Sequence, residues 1–183
     1  MAVMVGERVY LRPLERTDVD GGWLDWVNDH SLSQYLGGSF PVTRDGLLQY
    51  YDASQPPGTT MFAICLNEND KYIGNARLSE IDWIHRHCKY GRLIGETAYR
   101  TRGYGSDALV LLLRYGFHHM GMNRIYSAAF ADNEISLASN EQVGMKREGI
   151  MREGQYKDGR FHDMVMLAML RSEFDERYGC SGR

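Results

Sequence analysis

The chain has 183 residues and a formal net charge of −3, which predicts a single domain spanning 1–183 with a sizeable core and argues against a broad nucleic-acid footprint. No apolar run approaches the roughly 20 residues of a membrane span, and Met1-Ala2-Val3-Met4-Val5-Gly6-Glu7-Arg8 lacks the build of a secretory signal. The three cysteines, Cys65, Cys88 and Cys180, show no paired spacing; they suit a reducing interior, and the expected location is the cytoplasm.

In chain order, Val9 to Leu14 alternates and stops at Pro13, a short first strand with Arg12 on its polar side. Thr17 or Asp18 begins a helical stretch in which Trp23, Trp26 and Val27 share a face, and Ser31 to Leu36 adds a turn or two before Gly37-Gly38. These tryptophans either pack on a sheet or line a pocket. Thr43 caps a helix that ends before Gln55-Pro56-Pro57-Gly58. Thr60 to Leu66 and Tyr72 to Ile81 read as a hairpin turning at Asn67 to Asp70. His85, His87 and Cys88 form a His-x-His-Cys cluster without a fourth ligand at a recognisable spacing, so the segment Trp83 to Cys88 is expected to be a loop, with no metal.

Lys89 to Glu96 is a strand that delivers the chain to Arg100-Thr101-Arg102-Gly103-Tyr104-Gly105. Behind that turn, Leu109, Leu112, Leu113, Gly116, Phe117 and Met120 recur at helical spacing. A glycine-rich turn opening a helix lets backbone N–H groups converge where the helix dipole is positive, and arginines add forked donors, which is the chemistry of a diphosphate cradle. The hexapeptide is neither a dinucleotide fingerprint nor a Walker A loop, and a tight turn with solvated arginines is the alternative. Gly121 ends the helix, Arg124 to Phe130 is a strand, and Asp132 or Asn133 caps a short helix reaching Val143 and Gly144. A strand punctuated by Gly149 and Gly154, a turn at Asp158-Gly159 and a strand from His162 to Leu170 complete a mixed α/β or α+β order around one sheet.

Taken together, Ile94-Gly95-Glu96, Arg100 through Ala108, Asn133 with Ser136, Asn140-Glu141-Gln142-Val143-Gly144-Met145, and Glu148-Gly149 through Asp163 resemble the GNAT superfamily of acyl-CoA N-acetyltransferases, and within it the ribosomal-protein serine/alanine branch. The resemblance implies a mostly antiparallel, twisted sheet of six or seven strands flanked by helices, with splayed central strands holding acetyl-CoA as cosubstrate. It further implies that the amides of Arg102, Gly103, Tyr104, Gly105 and Ser106, with Arg100 and Thr101, bind the diphosphate. Leu93, Ile94 and Gly95 would pair with the pantetheine arm and stabilise the oxyanion, with Asn133, Ser136 and Asn140 as further contacts. A homodimer is compatible with it.

One departure is Asn140, which stands where the superfamily often has a tyrosine acid. Either the thiol leaves unaided, since its pKa is near 8.5, or Ser136, one helical turn earlier, relays a proton. The amine must also be neutral to attack. Deprotonation at pH 7 costs roughly 4 to 5 kcal/mol for a lysine-like amine but only about 1 to 1.5 for an α-amine. Glu80 and Glu96 are the leading candidate bases, ahead of Asp82 and Glu153. The expected reaction is direct acetyl transfer to a primary amine, of a protein N-terminus, an amino sugar or an amine antibiotic, with no covalent acyl-enzyme. A non-catalytic acyl-CoA sensor is the alternative.

Overall fold

A computed structural model describes residues 1–38 and 40–179; Cys180 lies outside the described residues. The strands are β1 (Met4–Val5), β2 (Val9–Pro13), β3 (Thr60–Leu66), β4 (Tyr72–Asp82), β5 (His87–Ile94), β6 (Arg124–Phe130), β7 (Lys146–Lys157) and β8 (Arg160–Leu170). They form one eight-stranded sheet in the order β1-β2-β3-β4-β5-β6-β8-β7. The strand beyond the expected seven is β1, two residues that pair Met4 with Leu11 and Val5 with Tyr10. The helices are α1 (Trp23–Asn28), α2 (His30–Ser33), α3 (Arg44–Ala53), α4 (Tyr104–Arg114), α5 (Glu134–Val143) and α6 (Arg171–Tyr178), with a 3-10 turn at Arg16–Asp20 before α1.

Every neighbouring pair in the sheet is antiparallel except β5 and β6, the two ends of the β5–α4–β6 crossover. That parallel pair has three rungs, His87 with Arg124, Cys88 with Ile125 and Lys89 with Tyr126. Past Lys89 the two strands pair only outward: β5 with β4 as far as Ile94, and β6 with β8 as far as Phe130. The sheet is therefore split along its middle towards the carboxyl ends of β5 and β6, where a crossover helix begins and where open sheets offer a crevice.

Local chemistry explains the flanking elements. The Thr43 hydroxyl accepts from the Gly46 amide at 3.1 Å and starts α3; the Asn133 side-chain oxygen Oδ1 accepts from the Ser136 amide at 3.1 Å and starts α5. Gly144, at φ +105, stops α5 in the left-handed conformation that a Cβ disfavours. On α4, Ala108, Leu109, Leu111, Leu112 and Leu113 are buried against the sheet, each leucine contributing about 1.5 to 3 kcal/mol. The helix continues as a π turn over Tyr115–His119, which brings Gly116 close to the Ile125 side chain. α1 and α3 cover the opposite face, where Trp23, Trp26, Leu47, Leu48, Ala63 and Cys65 make a second cluster.

Two segments depart from the sequence reading. His87 and Cys88 belong to β5 rather than to a loop, with the Cys88 side chain fully buried, and among the described residues no three His, Cys, Asp or Glu side chains converge as a metal set. α6 was not foreseen, because its sequence Arg-Ser-Glu-Phe-Asp-Glu-Arg-Tyr carries almost no apolar stripe. It is held by buried Phe174, packed 5.4 Å from the Phe117 ring, and by a 2.7 Å contact between His118 and Asp175.

Candidate functional site

The split and the turn that opens α4 adjoin. Thr101 (φ +59) and Gly103 (φ +87) reverse the chain, and the first α-type bond of α4 runs from the Asp107 amide to the Gly103 carbonyl at 3.0 Å. The amides ahead of it, through Ser106, have no intrahelical acceptor. Arg8 fastens this turn from outside: its Nη1 donates to the Arg102 carbonyl at 2.6 Å, and Asp107 accepts from the amides of Arg8 and Val9 at 2.8 and 3.1 Å. A Cβ on Gly103 would come within 2.7 Å of that Nη1. Arg102 is exposed beside the turn. Tyr104 packs edge-on to Tyr99, and the Thr101 hydroxyl donates to the Arg100 carbonyl at 2.7 Å.

Arg100 points away from the turn and back along the strand. Its Nε donates to the Ile94 carbonyl at 3.2 Å and its Nη2 to the Gly95 carbonyl at 2.6 Å, while Asp29 lies 3.9 Å away. Arg100 thus joins the end of β5 to the segment between α1 and α2. The Gly95 amide is not free, because it donates to the Ile73 carbonyl at 2.9 Å, as does Glu96 at 3.3 Å. Alternation along an extended strand turns the Ile94 amide to the other edge, into the split. Leu93 packs with the α1 and α3 cluster. Gly95 is required as glycine by close approach, since a Cβ there would fall inside the Trp26 indole, which packs 4.8 Å from the Tyr72 ring.

On the α4 and α5 side, polar side chains bridge the split. Arg92 donates to the Gly105 carbonyl and, at 2.7 Å, to the Ser139 hydroxyl; Ser106 and Ser139 hydroxyls are 3.0 Å apart. No carboxylate among the described residues pairs with Arg92, and burial pulls its pKa down. Deeper, Tyr90 donates its hydroxyl to the Asn140 side-chain carbonyl, with Ser127 of β6 as a second hydrogen-bond partner. Ser136 sits one turn before Asn140 on α5, its amide engaged by Asn133. The sequence pointed to Asn140 and Ser136 but missed Arg8, Tyr90, Arg92, Ser127 and Ser139. Their side chains meet only across the sheet, and strand periodicity says which face a residue takes without saying what stands opposite.

The two carboxylates named as bases lie apart. Glu96 pairs with Lys71 at 2.8 Å at the outer end of β5. Glu80 pairs with Lys89 at 2.9 Å and accepts from the Tyr126 hydroxyl at 2.9 Å, at the closed end of the split where β5 and β6 are still paired. The Lys89 hydrogen bond, opposed by partial burial, keeps the Glu80 carboxyl below its ordinary range. Asp82 accepts from the amides of Ile84 and His85, and the Glu153 amide donates to Asp163.

Comparison with known proteins agrees with this geometry. Residues 8–146 match the family model described as Acetyltransferase (GNAT) domain. The chain is 27% identical to the uncharacterized N-acetyltransferase p20 of Bacillus licheniformis, covering 95% of this chain and 99% of that one. It is 30% identical to the putative ribosomal N-acetyltransferase YdaF of Bacillus subtilis (strain 168), covering 93% and 96%. Among solved structures, spermidine N-acetyltransferase from Vibrio cholerae in complex with CoA and spermine superposes with a TM-score of 0.84 at 23% identity, covering 91% of this chain and 97% of that one. With a family match over most of its length and the split sheet and glycine turn in place, the chain belongs to the GNAT acetyltransferase family.

Proposed function

We propose that the protein transfers the acetyl group of acetyl-CoA directly to a primary amine in a ternary complex. The observation that carries this reading is the juxtaposition of the β5–β6 split with the unpaired amides of the α4 turn: one accepts a thin acyl-pantetheine arm, the other its diphosphate. In this reading the amides of Arg102 to Ser106 hold the diphosphate, with Arg8 keeping the turn in shape and Arg102 adding charge. The Ile94 amide, aimed into the split, donates to the oxygen that becomes negative as the amine adds, a contribution worth about 3 to 4 kcal/mol where such donors have been removed elsewhere. Asn133 and Ser136 mark the α5 wall of the passage.

The amine enters from the α1–α2 side. Arg100 reaches Ser31 at 3.4 Å, Tyr35 packs edge-on to Phe130 at the open end of β6, and Lys157 at the tip of β7 donates to the carbonyls of Leu36 and Gly38. Both candidate carboxylates are matched to a lysine, which favours an acceptor whose amine loses its proton at little cost near pH 7, a protein α-amine or an amino sugar, over one needing a strong base.

Thiol release from acetyl-CoA, measured with a panel holding a peptide with a free N-terminus, an amino sugar nucleotide, an aminoglycoside and spermidine, tests the reading. Amine-dependent release with at least one member is expected. Tight acetyl-CoA binding without release for any would overturn it in favour of an acyl-CoA sensor.

A further inference from the structure

On the face of the sheet that α1 and α3 cover, a cation without an anionic partner lies beside the split. Arg77 is on β4, an inner strand, directly opposite Gly91 of β5. Gly91 is two residues before Leu93, which packs with the α1 and α3 cluster, so Gly91 and Arg77 share that face. Gly91 also stands just past Lys89, the last β5 residue paired with β6, and so at the lip of the split. Chain neighbours aside, the three atoms nearest a Cβ on Gly91 would all be Arg77's: Nε at 3.1 Å, Cγ at 3.5 Å and Cδ at 3.9 Å. The arginine therefore lies flat across β5, and apart from it nothing crowds the Gly91 backbone on that side.

Arg77 is half-buried, yet no carboxylate among the described residues pairs with it. Its Nη1 donates to the Tyr50 hydroxyl of α3, and its guanidinium carbon is 6.0 Å from the centre of that ring. Glu80 feels the Arg77 charge but is engaged elsewhere. Lys89 pairs with it at 2.9 Å and the Tyr126 hydroxyl donates to it at 2.9 Å, Lys89 being the first influence holding that carboxyl down and Arg77 the last. A half-buried guanidinium with one neutral partner is an unfavourable arrangement until an anion joins it. Tyr50, 37% exposed, accepts from Arg77 and keeps its own hydroxyl hydrogen for another acceptor. The remaining guanidinium N–H groups and that O–H form a pair of donors open to solvent.

We propose that Arg77, with Tyr50, is a specificity-determining residue that binds an anionic group of the acceptor, so that the amine acetylated belongs to a molecule carrying a phosphate or a carboxylate. The inference rests on the acetyl-transfer reading above and narrows its acceptor. Gly91 stands three residues before Ile94, about 10 Å along the strand, and the Ile94 amide is where that reading puts the thioester oxygen. An amine attacking there has its anion several bonds back, towards Arg77, as in an amino sugar phosphate or a peptide with an acidic second side chain. An acceptor bearing amines alone would set a second cation against Arg77.

Thiol release by the full chain, measured with two matched pairs of acceptors, tests this. The pairs are glucosamine 6-phosphate against glucosamine, and amidated glycylglutamate against amidated glycylglutamine. Within each pair the reacting amine is alike, so the ratio of kcat/KM isolates the anion, and the two pairs tell phosphate from carboxylate. A ratio of about tenfold or more in favour of the anionic member is expected in at least one pair, carried by KM. Arg77→Gln brings that ratio below about threefold, Arg77→Lys retains part of it, and Tyr50→Phe, which leaves the charge in place, lowers it about threefold. A merely structural Arg77 would alter kcat or stability and leave the ratio as it was. Isothermal titration of glucosamine 6-phosphate and of amidated glycylglutamate into the CoA complex, which needs no turnover, is expected to show binding that weakens about tenfold in Arg77→Gln. The inference is overturned if neither pair reaches the expected ratio, or if the ratio survives both Arg77→Gln and Tyr50→Phe. Should no amine release thiol, the titration decides: binding that depends on Arg77 keeps the anion site and sinks the transfer reading, and absence of such binding sinks both.

Discussion

Gly103→Ala probes the turn to which the proposed function assigns cosubstrate binding. At φ +87 a non-glycine residue costs about 1 to 2 kcal/mol. The added Cβ would also lie 2.7 Å from the Arg8 Nη1, the far end of a flexible side chain, so Arg8 gives way and loses its 2.6 Å bond to the Arg102 carbonyl. That exposed, charge-assisted bond is worth about 0.5 to 1 kcal/mol. The sum is a destabilisation of about 1.5 to 3 kcal/mol, and a chain of this size loses roughly 2 to 4 °C of Tm per kcal/mol. Arg8→Ala separates the two contributions: alone it costs about 0.5 to 1 kcal/mol, and in the double variant it adds almost nothing, because the bond is already gone. Urea unfolding of the four proteins gives the cycle, and isothermal titration with acetyl-CoA is expected to show at least a tenfold loss of affinity for Gly103→Ala. Strict additivity of the two substitutions, or a Gly103→Ala protein as stable and as tight-binding as wild type, would refute the reasoning.

Gly95→Ala drives a methyl into the Trp26 indole and should cost about 1 to 3 kcal/mol or more, with the Trp26 fluorescence altered, whereas Gly149→Ala, where a Cβ meets nothing within 4 Å, should leave both unchanged. Asp107→Ala strips the acceptor from the Arg8 and Val9 amides and should lower stability by about 1 to 3 kcal/mol by urea titration; an Asp107→Asn variant that keeps one acceptor should lose less. Burial pushes the Cys88 thiol up to about 12 and raises that of Cys65 as well. In the unfolded chain a thiol titrates near 8.5, so the Cys88 thiol favours the fold fully below that pH, and the advantage drains away as pH climbs from there towards about 12. Native protein at pH 8 should therefore resist alkylation at Cys88 until denaturant is added; rapid labelling at Cys88 in the folded state would contradict the burial argument.

Much of the scaffold could be read from the residues because its signals are local. Thr60–Leu66 appears with the expected bounds, Thr43 caps α3 as expected, Asn133 is the one of the two residues named, Asp132 or Asn133, that caps α5, and Asp158-Gly159 turns the β7–β8 hairpin. The glycine turn was visible as well, since glycines at one short spacing ahead of a leucine-rich helix leave few backbone options. α6 stayed hidden because one buried phenylalanine, not a stripe, secures it. Tyr90 and Arg92 were passed over for another reason: on an alternating strand an aromatic and an arginine look ordinary, and their meaning comes from Asn140, Ser139 and Gly105, brought opposite them by the crossover. Arg100 was read as a phosphate ligand; in the structure it donates to the carbonyls of Ile94 and Gly95 at the end of β5.

The three rungs joining β5 to β6 make the sheet two antiparallel blankets stitched by a short seam, with β1 to β5 on one side and β6, β8 and β7 on the other. The seam carries only three rungs, and whatever lodges in its open end touches both blankets at once. An acyl donor there would act as a rivet as well as a reactant, and amides on β3 and β8, far from any contact with it, should exchange their hydrogens more slowly once it is in place.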